Sequence, residues 1–447
     1  MKIKVLKFGG TSVRTHEARM TAALRVISAK EQGYQPIVVV SAIGRRGEPY
    51  ATDTLINLIR EIDPSVEPDP REMDLIMACG EILSSVVFAH ILKTLGHQAM
   101  AMRGGQAGIR TDGVYGNARI LGVNPIGLFE VLRRGAIPVV CGFQGVWIHG
   151  RLPGSELTTL GRGGSDTTAA ALGAAVQAAA VEIYTDVDGV KTADPDFVKT
   201  ASTLRKVTYD EVAEIAHLGA KVLHPRAAEI AMKFNIPLWV KNTFTDDPGT
   251  EIVPKEQHPG RRVTGVTHTG KLVYLQLDLS GVKEDHRQKF DSHIFAMLEK
   301  YDFNLHMLNL SPSGIGFAVP RDQYPKIIDL FDGLVMPLGD ADRKTYVVQI
   351  GANPSKGAEM QISLLGEEGV VIPIAITEGL TMVSMVGHDY MQQAGLFMSV
   401  LETLDGANIP VIQTTDSDYS LSCLIPESEL RRAVAVLHDR FELDHVN

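Results

Sequence analysis

Up to about residue 250 the chain alternates short β-branched runs with longer segments of helical period, which restricts it to an α/β fold on a mostly parallel sheet. The runs at 4–8, 36–41, 99–103, 137–142, 180–185 and 236–241 read as strands, and the segments 15–32, 71–95, 125–134 and 167–178 as amphipathic helices. With 447 residues there is room for about three domains. The polar Gly- and Pro-bearing stretch TDDPGTEIVPKEQHPGRR closes the block, and a domain boundary is expected there.

The C-terminal remainder of the chain holds a diverged repeat, visible when LEKYDFNLHMLNLSPSGIGFAVP from Leu298 is laid on LETLDGANIPVIQTTDSDYSLSCLIP from Leu401 with small gaps. The first copy reads as strand 272–279, helix 286–300, strands 305–310 and 315–319, and helix 324–331. In the second the order is strand 381–386, helix 392–404, strands 410–415 and 419–425, and helix 427–440. This βαββα order is the ferredoxin-like unit, whose open sheet edge pairs readily with another copy. Residues 336–376, rich in Gly and Pro, read as an irregular insertion. The expected domains are therefore 1–250, 262–335 and 336–447.

Composition narrows the partners. Acidic side chains outnumber basic ones by 53 to 43, a net charge of -10 with no long basic run, so nucleic acid is not an expected partner. The most apolar later stretch, 168–181, is mostly alanine, contains Gln177 and is shorter than the ~20 residues of a membrane span. No membrane partner is expected, and the lysines of MKIKVLKFGG break up any export signal. Cys79, Cys141 and Cys423 lie far apart in apolar sequence and read as buried reduced thiols of a cytoplasmic protein.

Three clusters carry chemistry. Lys7-Phe8-Gly9-Gly10-Thr11-Ser12 ends the first strand, where glycines let backbone N–H groups approach a phosphate, Lys7 adds a point charge, and Thr11 or Ser12 can cap the next helix. Gly161-Arg162-Gly163-Gly164-Ser165-Asp166 precedes an alanine-rich helix and makes a second anion site, with Arg162 suited to grip a carboxylate through two parallel hydrogen bonds. Thr185-Asp186-Val187-Asp188-Gly189-Val190 and Lys191-Thr192-Ala193-Asp194-Pro195 follow another strand as acidic turns. All three fall at carboxyl ends of strands, where open parallel sheets bind ligands. A P-loop is excluded, since the one G-x-x-x-x-G-K, at 265–271, is followed by Leu272 where Mg²⁺ needs a hydroxyl. No G-x-G-x-x-G follows the first strand, and the 14 histidines form no H-E-x-x-H, so no protein-ligated metal is expected.

The ordered segments KFGGTSV at 7–13, Cys79-Gly80-Glu81, GRGGSD at 161–166, TDVDG at 185–189 and GAKVLHP at 219–225 resemble the signature of the aspartokinases, and the C-terminal repeat resembles their paired ACT domains. The resemblance implies an amino-acid kinase sandwich on a mostly parallel sheet, followed by two ferredoxin-like ACT domains. It implies transfer of the ATP γ-phosphate to the side-chain carboxylate of L-aspartate, giving 4-phospho-L-aspartate for the lysine, threonine, methionine and diaminopimelate pathway. Mg²⁺ would come with ATP and be held mainly by the nucleotide. Under it Lys7, Arg162 and Asp166 are the catalytic residues. Thr52, Glu81, Arg162, Gly163, Gly164 and Ser165 take aspartate. Lys7, Phe8, Gly9, Gly10, Ser41, Thr185, Asp186, Val190, Lys191, Asp194, Pro195, Lys221 and Val222 take ATP. An aspartate side chain is already ionised at neutral pH, so charge neutralisation and in-line placement carry the reaction, and Asp166 is an orienting or ammonium-binding group rather than a base, or else simply an acid at a helix N-terminus. Two positions depart from the family: Lys191 stands where an aromatic residue is frequent and Asp196 where arginine is, so a weaker grip on ATP is expected. The family also implies an amino-acid inhibitor, whose identity the turns LSGVKEDH and VGHDYMQQAG leave open, and a homo-oligomer paired through ACT domains. Two alternatives stand beside this reading: a catalytically weak amino-acid sensor, and a related kinase with another acidic substrate.

Overall fold

The computed structural model describes residues 2–148, 155–161, 163–220, 222–301, 303–338, 344–351, 369–388 and 394–445. They divide into one unit of residues 1–265 with 442–447 and a second of 266–441.

In the first unit the chain runs β1 (Ile3–Phe8), α1 (His16–Glu31), β2 (Gln35–Val40), α2 (Thr52–Arg60), α3 (Pro70–Thr94), β3 (Ala99–Met102), β4 (Ile109–Thr111), β5 (Ile120–Val123), α4 (Ile126–Arg133), β6 (Ile137–Cys141), β7 (Gln144–Trp147) and β8 (Glu156–Thr159). It continues through α5 (Gly164–Ala175), β9 (Ala180–Thr185), β10 (Lys206–Thr208), α6 (Tyr209–His217), α7 (Pro225–Lys233), β11 (Leu238–Asn242) and β12 (Thr250–Val253). The main sheet has the order β10-β12-β11-β9-β1-β2-β6-β3, and β5-β4-β7-β8 form a smaller one. β1 lies between β2 and β9, parallel to both, and β2 is parallel to β6. The carboxyl ends of four strands therefore open on one side of the sheet. Helices cover both faces, so the central strands are apolar throughout rather than alternating. Leu6, Phe8, Val38, Val40, Val139, Val26, Phe88 and Leu92 share one core.

Helix α3 is long and apolar enough, by length and composition, to cross a membrane. It exceeds the 168–181 stretch in both respects, and four of its polar residues sit inward: Asp74, Glu81, Ser84 and Ser85 are buried while Leu75, Leu83 and Val86 are exposed. Asp74 shows the reason, because its carboxylate accepts from the Gly116 and Thr159 N–H groups at 2.9 and 2.8 Å and from Thr159 Oγ1 at 2.6 Å. Cys79 lies on the exposed face of α3, not in the core as its neighbours suggest; Cys141 and Cys423 are buried and all three are free. Thr15, rather than Thr11 or Ser12, caps α1 by accepting from the Ala18 N–H at 3.1 Å.

The second unit contains β13 (Gly265–Asp278, its first residue belonging to the first unit), α8 (Glu284–Lys300), β14 (His306–Ser311), β15 (Gly314–Pro320), α9 (Tyr324–Phe331), β16 (Val335–Leu338) and β17 (Lys344–Ile350). It ends with β18 (Gly369–Val386), α10 (Ala394–Gly406), β19 (Gln413–Asp416), β20 (Ser420–Pro426) and α11 (Leu430–Arg440). One sheet, β14-β15-β13-β18-β17-β16, is extended by β20 on β18 and β19 on β20. Much of the segment 336–376 is thus regular: β16 and β17 pair antiparallel, and β17 runs parallel to the first part of β18. Tyr346, Val348, Ile372 and Ile374 enter the same core as Phe290, Phe317 and Phe331 of the first repeat. Gly and Pro fall within and beside these strands, with Pro337 inside β16, Pro373 inside β18 and Gly351 after β17, so composition hides them. Residues 339–343, 352–368 and 389–393 lie outside the described residues.

Candidate active site

Lys7 points from the carboxyl end of β1 to Asp166 in the first turn of α5, with Lys7 Nζ 2.6 Å from Asp166 Oδ1 and both side chains close to nine-tenths buried. The other oxygen, Asp166 Oδ2, accepts from the His224 backbone N–H at 3.2 Å. A cation, a carboxylate and the N-terminal end of a twelve-residue helix therefore meet where β1 ends. Asp166 is oriented from two sides and does not stand free as a base.

Glycine closes the space around this pair. After β1, Gly10 accepts from the Gly44 N–H at 3.1 Å, and a Cβ on Gly10 would lie 2.5 Å from Gly44 O and 3.0 Å from Ala42 O. Gly10→Ala should cost about 1–3 kcal/mol, read as a lower denaturation midpoint, and abolish activity by pushing the 42–44 loop off the site. A midpoint equal to that of the parent would refute the packing argument. Gly163 holds φ at +68° at the N-cap of α5, and a Cβ there would sit 2.1 Å from His224 Cδ2. Only glycine admits the His224 ring, which burial keeps below its ordinary pKa and hence neutral.

Glu81, on α3, is the second unusual carboxylate. Its Oε1 accepts from the Ala42 N–H at 3.0 Å, just beyond β2, while Oε2 is buried with no partner among the described residues. Burial raises its pKa to about 8 against the weaker pull of that hydrogen bond, so the group is largely protonated at neutral pH. A buried carboxyl with one oxygen unanswered is a receptor for a donor, and a cationic one would ionise it.

The remaining expected residues divide in two. Ser41 donates its N–H to Phe8 O at 3.1 Å, Ser165 lies against Gly142 just past β6, and Thr185 ends β9 with Asp186 next to it, where Arg45 pairs with Asp186. These join the Lys7 cluster through neighbouring strand ends. Others serve the fold instead: the Phe8 ring stacks at 4.9 Å on Tyr184 and 5.5 Å on Phe88, the Gly9 N–H donates to Tyr184 O, and Val190 is buried with its N–H on Thr250 Oγ1. Phe8 and Val190 can offer a ligand no side-chain surface, and the Gly9 amide is already engaged. Lys191 Nζ donates to Thr203 Oγ1 at 2.9 Å, and Asp194 accepts from the Asp196 N–H at 2.8 Å, with Pro195 between them in the turn. Thr52 opens α2, and Val222 is half-buried before His224. Arg162 and Lys221 lie outside the described residues. Sequence reasoning passed over Arg45 and His224 as contributors. Arg45 carries no local signal, whereas His224 was legible inside GAKVLHP as the residue before a helix-starting proline.

Residues 2–242 match the amino acid kinase family, and residues 383–441 match the ACT domain. The chain is 35% identical to aspartokinase 1 of Bacillus subtilis over 99% of its own length and 100% of that protein's. Its fold matches E. coli aspartokinase III solved with aspartate and ADP (R-state), with a TM-score of 0.73 at 24% identity over 98% of this chain and 99% of that one. The same enzyme solved with lysine and aspartate (T-state) gives a TM-score of 0.69 at 24% identity, covering 99% and 100%. With the family matched over more than half of the chain and a full-length relative at this identity, the chain belongs to the aspartokinases of the amino acid kinase family.

Proposed function

We propose that the chain transfers the γ-phosphate of ATP to the side-chain carboxylate of L-aspartate, and the observation that carries this is the Lys7–Asp166 pair seated against the N-terminal end of α5. Two anions must be brought together, so the work is neutralising charge and aligning the donor oxygen with the phosphorus. Lys7 contacts the β/γ-phosphates, with Lys221 as a second cation from the nucleotide side. Asp166 fixes the Lys7 ammonium and takes no proton. Arg162 grips the α-carboxylate of aspartate, Glu81 receives its α-ammonium, and Thr52, Gly163, Gly164 and Ser165 line the rest. Ser41, Gly10, Thr185, Asp186, Lys191, Asp194 and Pro195 surround the nucleotide, with Phe8, Gly9, Val190 and Val222 as its framework.

Mg²⁺ enters with the nucleotide. It would be held chiefly by the phosphates and by water. When bound it neutralises phosphate charge. The domain assignment is a kinase domain that runs past residue 250 to about 265, followed by two ACT units that sense an amino-acid inhibitor and pair copies of the chain, in a cytoplasmic enzyme.

The test is aspartate-dependent ADP release by pure protein, repeated with Arg162→Ala, for which kcat/KM should fall at least ~100-fold. Release with glutamate in place of aspartate would select another acidic substrate, and no release with either would end the kinase reading.

A further inference from the structure

The first unit contains another buried ionic cluster, separate from the Lys7–Asp166 pair. Glu211, three residues into the start of α6, is fully buried, and its carboxylate receives five donors. Oε2 accepts from the Thr208 N–H at 2.8 Å, Thr208 Oγ1 at 3.0 Å and Arg261 Nη2 at 3.3 Å. Oε1 accepts from Thr264 Oγ1 and lies 3.2 Å from His258 Nε2. The His258 tautomer follows from its other nitrogen, since Nδ1 accepts from the Gly260 N–H at 3.0 Å and Nε2 therefore carries the proton toward Glu211. Arg261 also donates to Thr264 Oγ1 at 3.2 Å and to Lys206 O at 2.8 Å. Burial works against the carboxylate, yet Arg261 and the neutral donors hold Glu211 below its ordinary pKa.

Two jobs converge on one side chain. Glu211 completes the capping box of α6 with Thr208, and it fastens residues 258–264, the last segment of the first unit before β13, to that same helix end. A plain tether needs no fixed route, and a buried charge is a costly way to build one. Such a network specifies position. α6 is packed against α7, whose N-cap is His224, and the His224 N–H meets Asp166.

We propose that Glu211 is a positioning residue for phosphoryl transfer: its carboxylate locks the 258–264 segment to the start of α6, and α6 delivers that placement to the His224 N–H on Asp166. The proposal rests on the assignment of Asp166 and Lys7 to the reacting phosphate. Because Glu211→Gln would also disturb the helix cap, Arg261 is the residue to change, in the full chain, as Arg261→Met and Arg261→Lys.

Amide exchange, melting temperature and steady-state kinetics are measured together. Arg261→Met should exchange ~10-fold faster in the peptide covering 218–224 as well as at 255–264. Its kcat should fall ~10-fold with KM for aspartate within about twofold, since a misplaced group acts in the transition state. Arg261→Lys should recover part of both losses. Faster exchange confined to 255–264, or a lowered melting temperature with unchanged kcat and unchanged exchange at 218–224, overturns the proposal. A parent protein without aspartate-dependent ADP release fails the kinase reading instead, and the exchange at 218–224 then decides the coupling alone.

Discussion

Lys7→Met should lower aspartate-dependent ADP formation by ~10³-fold, almost entirely in kcat, because the ammonium is fixed before any charge develops on the transferring phosphoryl group. The fixing is visible: Lys7 Nζ lies 2.6 Å from Asp166 Oδ1, and Asp166 is itself held by the His224 N–H. Removing the cation leaves Asp166 buried with one answered oxygen, so the variant should also lose on the order of 2 kcal/mol of stability. The double change Lys7→Met with Asp166→Asn separates the two effects. It removes the stranded charge and should recover most of the stability while activity stays at the Lys7→Met level. Lys7→Arg should not rescue, since a planar guanidinium carries its charge farther out and in a fixed fork, and cannot take the place of a compact ammonium seated on Asp166. Activity within tenfold of the parent in Lys7→Met would remove Lys7 from the reaction.

How much of this was legible in the sequence depended on whether a residue's job was local. The end of β1 was legible, because a lysine and two glycines after a β-branched run carry their chemistry in the spacing. So was the start of α5, although the cap there is the left-handed Gly163 and not a side chain. Phe8 misled, because a motif is written as consecutive letters while strand residues alternate between faces. Lys7 Nζ reaches Asp166 at the site, and the next side chain turns into the core against Phe88 and Tyr184. Strands β16 and β17 were missed for a related reason: their pairing partners are each other and a strand some twenty residues on, and Pro337 inside β16 and Gly351 after β17 mask the short apolar cores. The inward polar face of α3 was invisible to periodicity, which assumes that Asp and Glu look outward. Asp74 and Glu81 look inward because backbone N–H groups from remote loops meet them there.

That inversion makes Glu81 the site's pH-sensitive group. The folded protein holds its proton up to about pH 8, against the usual 4.5 of a glutamate, so folding takes up a proton between those values. The stability contribution is therefore intact at low pH and is eroded as pH rises from 4.5 toward 8, the reverse of a salt-bridged carboxylate. Glu81→Gln abolishes the erosion. Without ligand it should be more stable than the parent at pH 9, by on the order of 4 kcal/mol, and nearly equal to it at pH 5. Urea midpoints at the two pH values check this, and a variant no more stable at pH 9 than at pH 5 relative to the parent would show that Glu81 ionises freely. Aspartate should reverse the balance. An α-ammonium placed against the unanswered Oε2 favours the carboxylate, so binding at pH 7 should expel close to one proton, measurable as a binding enthalpy that changes with the ionisation enthalpy of the buffer. In Glu81→Gln that buffer dependence should vanish and aspartate affinity should fall ~100-fold, the loss of a buried charge-assisted hydrogen bond. Proton release that persists in the variant would place the titrating group elsewhere. Apparent affinity for aspartate in the parent should accordingly rise with pH until Glu81 is ionised without help, and level off near pH 8.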